Sequence, residues 1–340
     1  MKKVIIIAEA GVNHNGDVMT AKKLIDVASE AKVDYVKFQS FKADKLVSPI
    51  AKKAEYQIKN LKDKDDFQYQ MLKKLELSDE DHRELISYCK TKNVKFFSTA
   101  FDVDGVSYLS SLNLDAFKIP SGELTNFPYL KAIARTRLPV ILSTGMATLK
   151  EIEKSLNVLI ENGTNKENLT ILHCNTDYPT PMEDVNLKAM LKIKEKFDVN
   201  VGYSDHTIGT EISIAAVALG AKIIEKHFTL DRNLKGPDHK ASLEPKELKY
   251  LVESIRNLEK AMMTNGMKKP SQGEKKNISI ARKSIHLLRD LPSGSIISKK
   301  DIIPLRPGDG ICAMNWEKVL GKTLCKDLKK YHKLRWSDLI

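Results

Sequence analysis

Short apolar runs, many of them β-branched, recur through the first three quarters of the chain. Each is followed by polar or small residues and then by a stretch with helical spacing. The runs are Val4–Ala10, Tyr35–Gln39, Lys95–Thr99, Ala116–Pro120, Val140–Thr144, Leu169–Asn175, Val199–Ser204 and Lys222–Phe228. Most are almost continuously hydrophobic, as strands covered on both faces are. Between them, Thr148 and Glu151 form a capping-box pattern ahead of Ile152, Leu156 and Leu159, and Gly163 marks the stop. Glu211–Leu219 reads as an apolar helix ending at Gly220-Ala221. Pro245 opens another, with Leu248, Leu251, Ile255, Leu258 and Met262 at helical spacing.

Eight strand-then-helix units predict a (β/α)8 barrel. A doubly wound open sheet fits less well, because Gly11-Val12-Asn13-His14-Asn15-Gly16 does not match Gly-x-Gly-x-x-Gly. The polar insert from Phe41 to Leu77 is expected to form a hairpin or lid beside the barrel mouth. The stretch Thr264–Gly273 reads as a linker. Beyond it lie short β-like runs, Ser284–Leu288 and Ile296-Ile297, with turns at Pro292-Ser293-Gly294 and Pro307-Gly308-Asp309-Gly310. These make a small second module, marginal by itself.

Composition narrows the classes. The 340 residues are 42% hydrophobic and 29% charged, a globular balance. No apolar run approaches the ~20 residues of a membrane-spanning helix, so no membrane partner is expected. The net charge of +12 invites a nucleic-acid reading, but its location argues otherwise. Residues 266–340 hold 17 Lys/Arg and 7 Asp/Glu, leaving a net of only +2 over the first 265 residues. That tail has neither aromatic interleaving nor zinc-finger spacing, so no nucleic-acid partner is expected. Cys89, Cys174, Cys312 and Cys325 are far apart, which fits reduced thiols and a cytoplasmic location. Lys2-Lys3, an apolar run and Ala8-Glu9-Ala10 imitate a signal peptide, but the run is too short. It reads as the first strand.

In a barrel, catalytic groups gather at the C-terminal ends of the strands. Here the ends carry Glu9, then Lys37 and Gln39, then Ser98-Thr99, then Lys118-Ile119-Pro120-Ser121-Gly122-Glu123. Ser143-Thr144-Gly145, His173-Cys174-Asn175-Thr176-Asp177-Tyr178, Ser204-Asp205-His206-Thr207 and Glu225-Lys226-His227 follow. A strand lysine more often serves a structural ion pair. Lys37 and Lys118 together with several hydroxyls nevertheless suit a ligand bearing a phosphate and a carboxylate. A lone strand-end histidine is more often a core or rim residue. His206 and His227, on consecutive strands, could converge on one divalent ion with water completing its shell. Cys174 reads as a packed core thiol. Gly321-Lys322-Thr323 is not a phosphate loop, since Trp316 stands where its first glycine belongs.

Together these motifs resemble the sialic acid synthase family, bacterial type and close to legionaminate synthases. The resemblance runs from Ala8-Glu9-Ala10-Gly11-Val12-Asn13-His14-Asn15-Gly16 through Val36-Lys37-Phe38-Gln39 and Ser143-Thr144-Gly145-Met146. It continues at Gly236-Pro237-Asp238-His239 and Leu305-Arg306-Pro307-Gly308. It implies a catalytic barrel over 1–265, a linker over 266–281 and an antifreeze-like (SAF) domain over 282–340. It also implies a homodimer whose SAF domain serves the partner's site. The implied reaction condenses phosphoenolpyruvate with N-acetylmannosamine and water, giving N-acetylneuraminate and phosphate by C–O cleavage. The alternative is N,N'-diacetyllegionaminate synthesis from a diacetamido dideoxy hexose.

By the same resemblance, Lys37, Thr99, Lys118, Ser121, Ser143 and Ser204 cradle phosphoenolpyruvate. His206 and His227 hold Mn²⁺, with Mg²⁺ as second choice, and Glu123 transfers protons. Glu9, Gln39, Thr176, Tyr178 and Asp238 hold the sugar, and Arg306 reaches its N-acyl group from the partner subunit. Glu9, Lys37 and Lys118 are counted with Glu123 in the catalytic set. Lys32 stands where the family usually has Gly, and Asp309 replaces a common Asn near Arg306. The nearest chemical rival is a Schiff-base aldolase using Lys37 or Lys118.

Overall fold

The computed structural model describes residues 3–61 and 67–340. Eight parallel strands close into a barrel in sequence order: β1 (Ile5–Gly11), β2 (Tyr35–Ser40), β3 (Lys95–Ala100), β4 (Phe117–Ile119), β5 (Val140–Ser143), β6 (Leu169–His173), β7 (Asn200–Asp205) and β8 (Ile223–His227). Each coincides with an expected run to within two residues at either end. The continuous apolar runs have the expected cause. One face packs against the surrounding helices and the other fills the barrel, so neither meets water.

Side chains alternate across each strand, and this period of two builds the site. Ile7, Phe97, Ile141, Leu172 and Ile223 form an apolar layer inside the barrel. Two residues further along the same strands stand Glu9, Thr99, Ser143, Cys174 and Glu225. The interior therefore changes from hydrocarbon to polar groups within one step of the alternation.

Helix punctuation follows local chemistry. Thr148 and Glu151 complete the expected capping box on helix Leu149–Glu161. The insert after β2 departs from the hairpin expectation. Its described residues form helices Ala43–Leu46, Glu55–Leu61 and Gln68–Leu75, with an antiparallel bridge between Lys52 and Phe67. Met71 and Leu75, four residues apart, bury one helix face beside Val12 and Phe41. Residues 62–66 of the insert lie outside the described residues.

The chain divides into two compact units, Met1–Met263 and Thr264–Ile340. The second contains a helix, Gln272–Ala281, inside the stretch expected to be a linker. Ser271 caps it and Glu274 reciprocates, a Ser-x-x-Glu signal visible in the sequence. Two antiparallel strands, β9 (Ser284–Leu287) and β10 (Ile302–Leu305), then pair over a small core that includes Ile285, Ile297, Ile311 and Leu334. Lys32 is exposed, as expected, but has φ = +60°. A glycine there would relieve backbone strain of about 1 kcal/mol. No helix among the described residues is long and apolar enough to cross a membrane.

Candidate active site

A cavity of about 210 Å³ opens at the C-terminal ends of the strands. The sequence-predicted residues Glu9, Lys37, Gln39, Lys118, Ser121, Ser143, Thr176, Tyr178, Ser204, His206 and His227 all line it. Thr99 stands just behind, accepting a hydrogen bond from Lys37 Nζ at 3.2 Å. Glu225 also lines the cavity and is the main residue that sequence reading left out. The signal was present, because Glu225 is two residues before His227 on a strand and shares its face.

Glu225 connects the two lysines. Its Oε1 lies 3.0 Å from Lys118 Nζ and accepts from Ser204 Oγ at 3.1 Å, and its Oε2 lies 3.7 Å from Lys37 Nζ. Lys37 Nζ is also 2.7 Å from Glu9 Oε2. All four charged groups are buried, so two cations and two carboxylates share one small space. The two carboxylates respond oppositely. Burial raises both, but Lys118 and Lys37 overcome it at Glu225 and hold that group down at about 2. At Glu9 burial prevails over Lys37, aided by repulsion from Glu225, and the carboxyl is raised. Burial favours neutral Lys37, yet Glu225 and Glu9 keep its ammonium above the usual lysine value. A Schiff-base lysine needs a neutral amine, so Lys37 is poorly suited to the aldolase rival.

The histidines sit differently. His206 Nδ1 is 2.5 Å from the Asn175 carbonyl, so Nδ1 carries the hydrogen and Nε2 keeps its lone pair. Burial lowers the His206 pKa to about 4 and drives His227 well below its usual value, where His206 and Lys37 add repulsion. His227 Nδ1 is buried and has no hydrogen-bond partner among the described residues. The ring centroids are 5.5 Å apart. Two neutral imidazoles, one oriented by a backbone carbonyl, fit a divalent ion of borderline softness. Among the described residues no group of three or more His, Cys, Asp or Glu is placed to hold a metal ion.

Two glycines shape the walls. Gly11 lies at a shift in the β1–β2 register with φ = +54°, and an added Cβ would come within 3.3 Å of His227 and 3.4 Å of Glu9. At Gly145 an added Cβ would lie 2.6 Å from Thr176 Cγ2 and 2.9 Å from Ser121 Oγ. Ser121 Oγ instead accepts from Gly145 N at 2.9 Å. Ser143 Oγ is buried, has no hydrogen-bond partner among the described residues and faces the lined space. Cys174, read as a core thiol, is buried but belongs to the cavity wall, 3.3 Å from Ser121 Oγ.

The inserted helix Glu55–Leu61 also contributes. Its Tyr56 ring stacks on Tyr178 at 5.0 Å, and Tyr178 lies 4.1 Å from the His206 ring. Asn60 donates to the Pro237 carbonyl at 2.6 Å, joining this helix to the loop that carries Asp238. Asp238 is buried, and burial with repulsion from Glu9 pushes its carboxyl up to about 7.

The sign of the resulting pH effect is fixed. An unfolded aspartate, near 3.8, releases its proton early, while the folded group retains it to about 7. Asp238 therefore costs stability progressively as pH rises through that window, and the cost is constant above it. Asp238→Asn should raise the melting temperature of the ligand-free protein more at pH 8 than at pH 5. An equal or smaller gain at pH 8 refutes this.

Of the predicted residues, Thr99, Glu123 and Asp238 are not among those that line the cavity, and Arg306 belongs to the second unit. Glu123 follows the lining residue Gly122, but its carboxylate accepts from Asn126 Nδ2 at 2.5 Å and faces the field of Asp102. A local helix cap has captured the group. Arg306 is exposed in the second unit. Asp309, which stands where the family commonly has Asn, is paired with Lys333 at 2.5 Å.

A model of the NeuB family matches residues 24–268, well over half of the chain. The chain belongs to the NeuB family. A SAF-domain model matches residues 282–340 of this NeuB-family protein. It is 55% identical over 335 residues to the N,N'-diacetyllegionaminic acid synthase of Campylobacter jejuni subsp. jejuni serotype O:2, covering 98% of this chain and 100% of that one. It is 47% identical to the enzyme of the same name from Legionella pneumophila subsp. pneumophila, covering 98% and 94% of the two chains. Among solved structures, the N-acetylneuraminic acid (sialic acid) synthetase of Leptospira borgpetersenii serovar Hardjo-bovis, in complex with citrate, aligns with a TM-score of 0.70. The identity is 35%, over 82% of this NeuB-family chain and 90% of that one.

Proposed function

We propose that this protein is a phosphoenolpyruvate-dependent synthase whose acceptor is a diacetamido dideoxy hexose, forming N,N'-diacetyllegionaminate and phosphate. The observation carrying the chemistry is the pair of buried lysines beside unpartnered Ser143 Oγ and two neutral imidazoles in one cavity. The acceptor moves from N-acetylmannosamine to the diacetamido sugar because relatives at 55% and 47% identity carry that name. In this reaction C3 of phosphoenolpyruvate bonds to the aldehyde carbon, whose oxygen takes up a proton. Water adds at C2, and the C2–O bond to phosphate breaks as the keto group forms.

The chain's residues divide this work. Lys37 and Lys118 supply charge-assisted hydrogen bonds to the substrate's phosphate and carboxylate, with Thr99, Ser121, Ser143 and Ser204 completing the cradle. His206 and His227 would hold Mn²⁺, which imidazole favours over Mg²⁺, supplying Lewis-acid polarisation of the aldehyde. Gln39, Thr176, Tyr178 and Asp238 face the acceptor. Glu9 takes the proton-transfer role from Glu123, because both carboxyls are raised by burial but only Glu9 lines the cavity. Glu9→Gln should lose about 10²–10⁴-fold in turnover while Glu123→Gln keeps most of it. Phosphate-release kinetics with the reverse ordering would return the role to Glu123.

The reading also carries a cytoplasmic homodimer in which Arg306 serves the partner's acceptor site. It requires a dimer in sedimentation, and an Arg306→Ala enzyme whose KM rises for the sugar more than for phosphoenolpyruvate. The deciding experiment measures phosphate release with phosphoenolpyruvate, Mn²⁺ and a panel of acetamido sugars. Preference for the diacetamido dideoxy hexose supports the proposal, and preference for N-acetylmannosamine overturns the acceptor assignment.

A further inference from the structure

Asp205 and Lys226 immediately precede the two histidines, and they are register partners on β7 and β8. Strand alternation turns them away from the cavity, on the side of Tyr203 and Ile224, which belong to the core between barrel and helices. Their side chains are 0% and 1% exposed, with Lys226 Nζ 3.0 Å from Asp205 Oδ2. The pair is completely engaged. Asp205 Oδ2 also accepts from Ser213 Oγ at 2.6 Å, on the helix Glu211–Ala218. Asp205 Oδ1 accepts from Thr207 N at 2.9 Å and from Thr207 Oγ1 at 2.7 Å. Lys226 Nζ donates to the Thr207 carbonyl at 2.6 Å.

The consequence falls on the residue in the middle. His206 lies between Asp205 and Thr207, and both flanks are clamped by the same ion pair. Its own carbonyl accepts from Thr180 N at 2.9 Å, and its Nδ1 donates to Asn175 O. His227 follows Lys226 directly on β8. One buried ion pair therefore ties together the backbones from which both imidazoles project.

We propose that the Asp205–Lys226 pair is a positioning element that sets the separation and aim of His206 and His227 for a divalent cation. This rests on the metal reading of those histidines. Neither residue touches the cation. Each acts through the backbone of its neighbour, as partners behind metal ligands do in other proteins.

A buried ion pair could also serve stability alone, so the test separates the two roles. Mn²⁺ binding to the full-length protein is measured by the spin-resonance signal of free aqueous Mn²⁺, alongside melting temperature without metal. Lys226→Met and Asp205→Asn should each weaken Mn²⁺ binding about 10- to 100-fold. Each also leaves one buried charge unpaired and lowers the melting temperature. The double variant Asp205→Asn with Lys226→Met removes both charges. It should regain much of the melting temperature while its Mn²⁺ affinity stays weak. If a single variant fails to fold, Thr207→Val deletes the two hydrogen bonds that the Thr207 hydroxyl makes with Asp205 and Lys226 and should weaken Mn²⁺ binding about 10-fold, the lower end of that range. Wild-type Mn²⁺ affinity in the folded variants, or joint recovery of affinity and melting temperature in the double variant, overturns the proposal. No Mn²⁺ binding by the wild-type protein overturns the metal reading itself, and the positioning role with it.

Discussion

In a Lys118→Met enzyme, kcat/KM for phosphoenolpyruvate falls by about 10²–10³-fold, read as phosphate release. Methionine keeps most of the side-chain volume, so the loss isolates the ammonium. Lys118 Nζ is buried and 3.0 Å from Glu225 Oε1. Truncating one member of a buried, hydrogen-bonded charge pair costs about 2–5 kcal/mol, roughly 30- to several-thousand-fold. Two effects add here. The substrate loses a charge-assisted contact, and Glu225 is left to Lys37 and Ser204, bringing net negative charge against an incoming anion. A variant within a few-fold of the wild type would place phosphoenolpyruvate elsewhere.

Chelation, or replacement of either His206 or His227 by Ala, should reduce turnover by on the order of 10³-fold. Lewis-acid polarisation of a carbonyl is worth several kcal/mol, and each tenfold in rate corresponds to about 1.4 kcal/mol. The two treatments should differ on add-back. Mn²⁺ restores the chelated wild-type protein, whereas the alanine variants stay inactive at the same concentration. Full turnover after exhaustive chelation would remove the metal from the reaction. Equal rescue of variants and wild type would remove the histidines as its ligands.

The barrel was legible because its strands are buried on both faces, which writes each as an almost unbroken apolar run. Most of the cavity was legible for a related reason. Polar residues at the ends of such runs have no place in a hydrocarbon core, so Lys37, Lys118, Ser143 and the two histidines stood out. Glu225 followed the same rule and was passed over, although its spacing from His227 gave its direction. Glu123 is the opposite case. Its motif placed it correctly in the chain, but a local hydrogen bond to Asn126 decides where its carboxylate goes. The stack of Tyr56 on Tyr178 joins residues more than a hundred positions apart, and no local pattern announces it. The helix Gln272–Ala281 was signalled by Ser271 and Glu274, yet Gly266, Pro270 and Gly273 dominated the reading.

The balance of Lys37 and Lys118 against Glu9 and Glu225 gives the cavity the character of an ion exchanger. Each lysine already has a carboxylate at hand, so a simple monoanion gains little by entering and must break an internal pair to do so. A ligand with two anionic groups can replace both internal partners at once, and the raised Glu9 carboxyl can become neutral as it does. Selection then depends less on attraction from a distance than on valence and spacing at the moment of exchange. Under the proposed reaction, free phosphate, with a single anchor, should therefore compete only weakly for such a site.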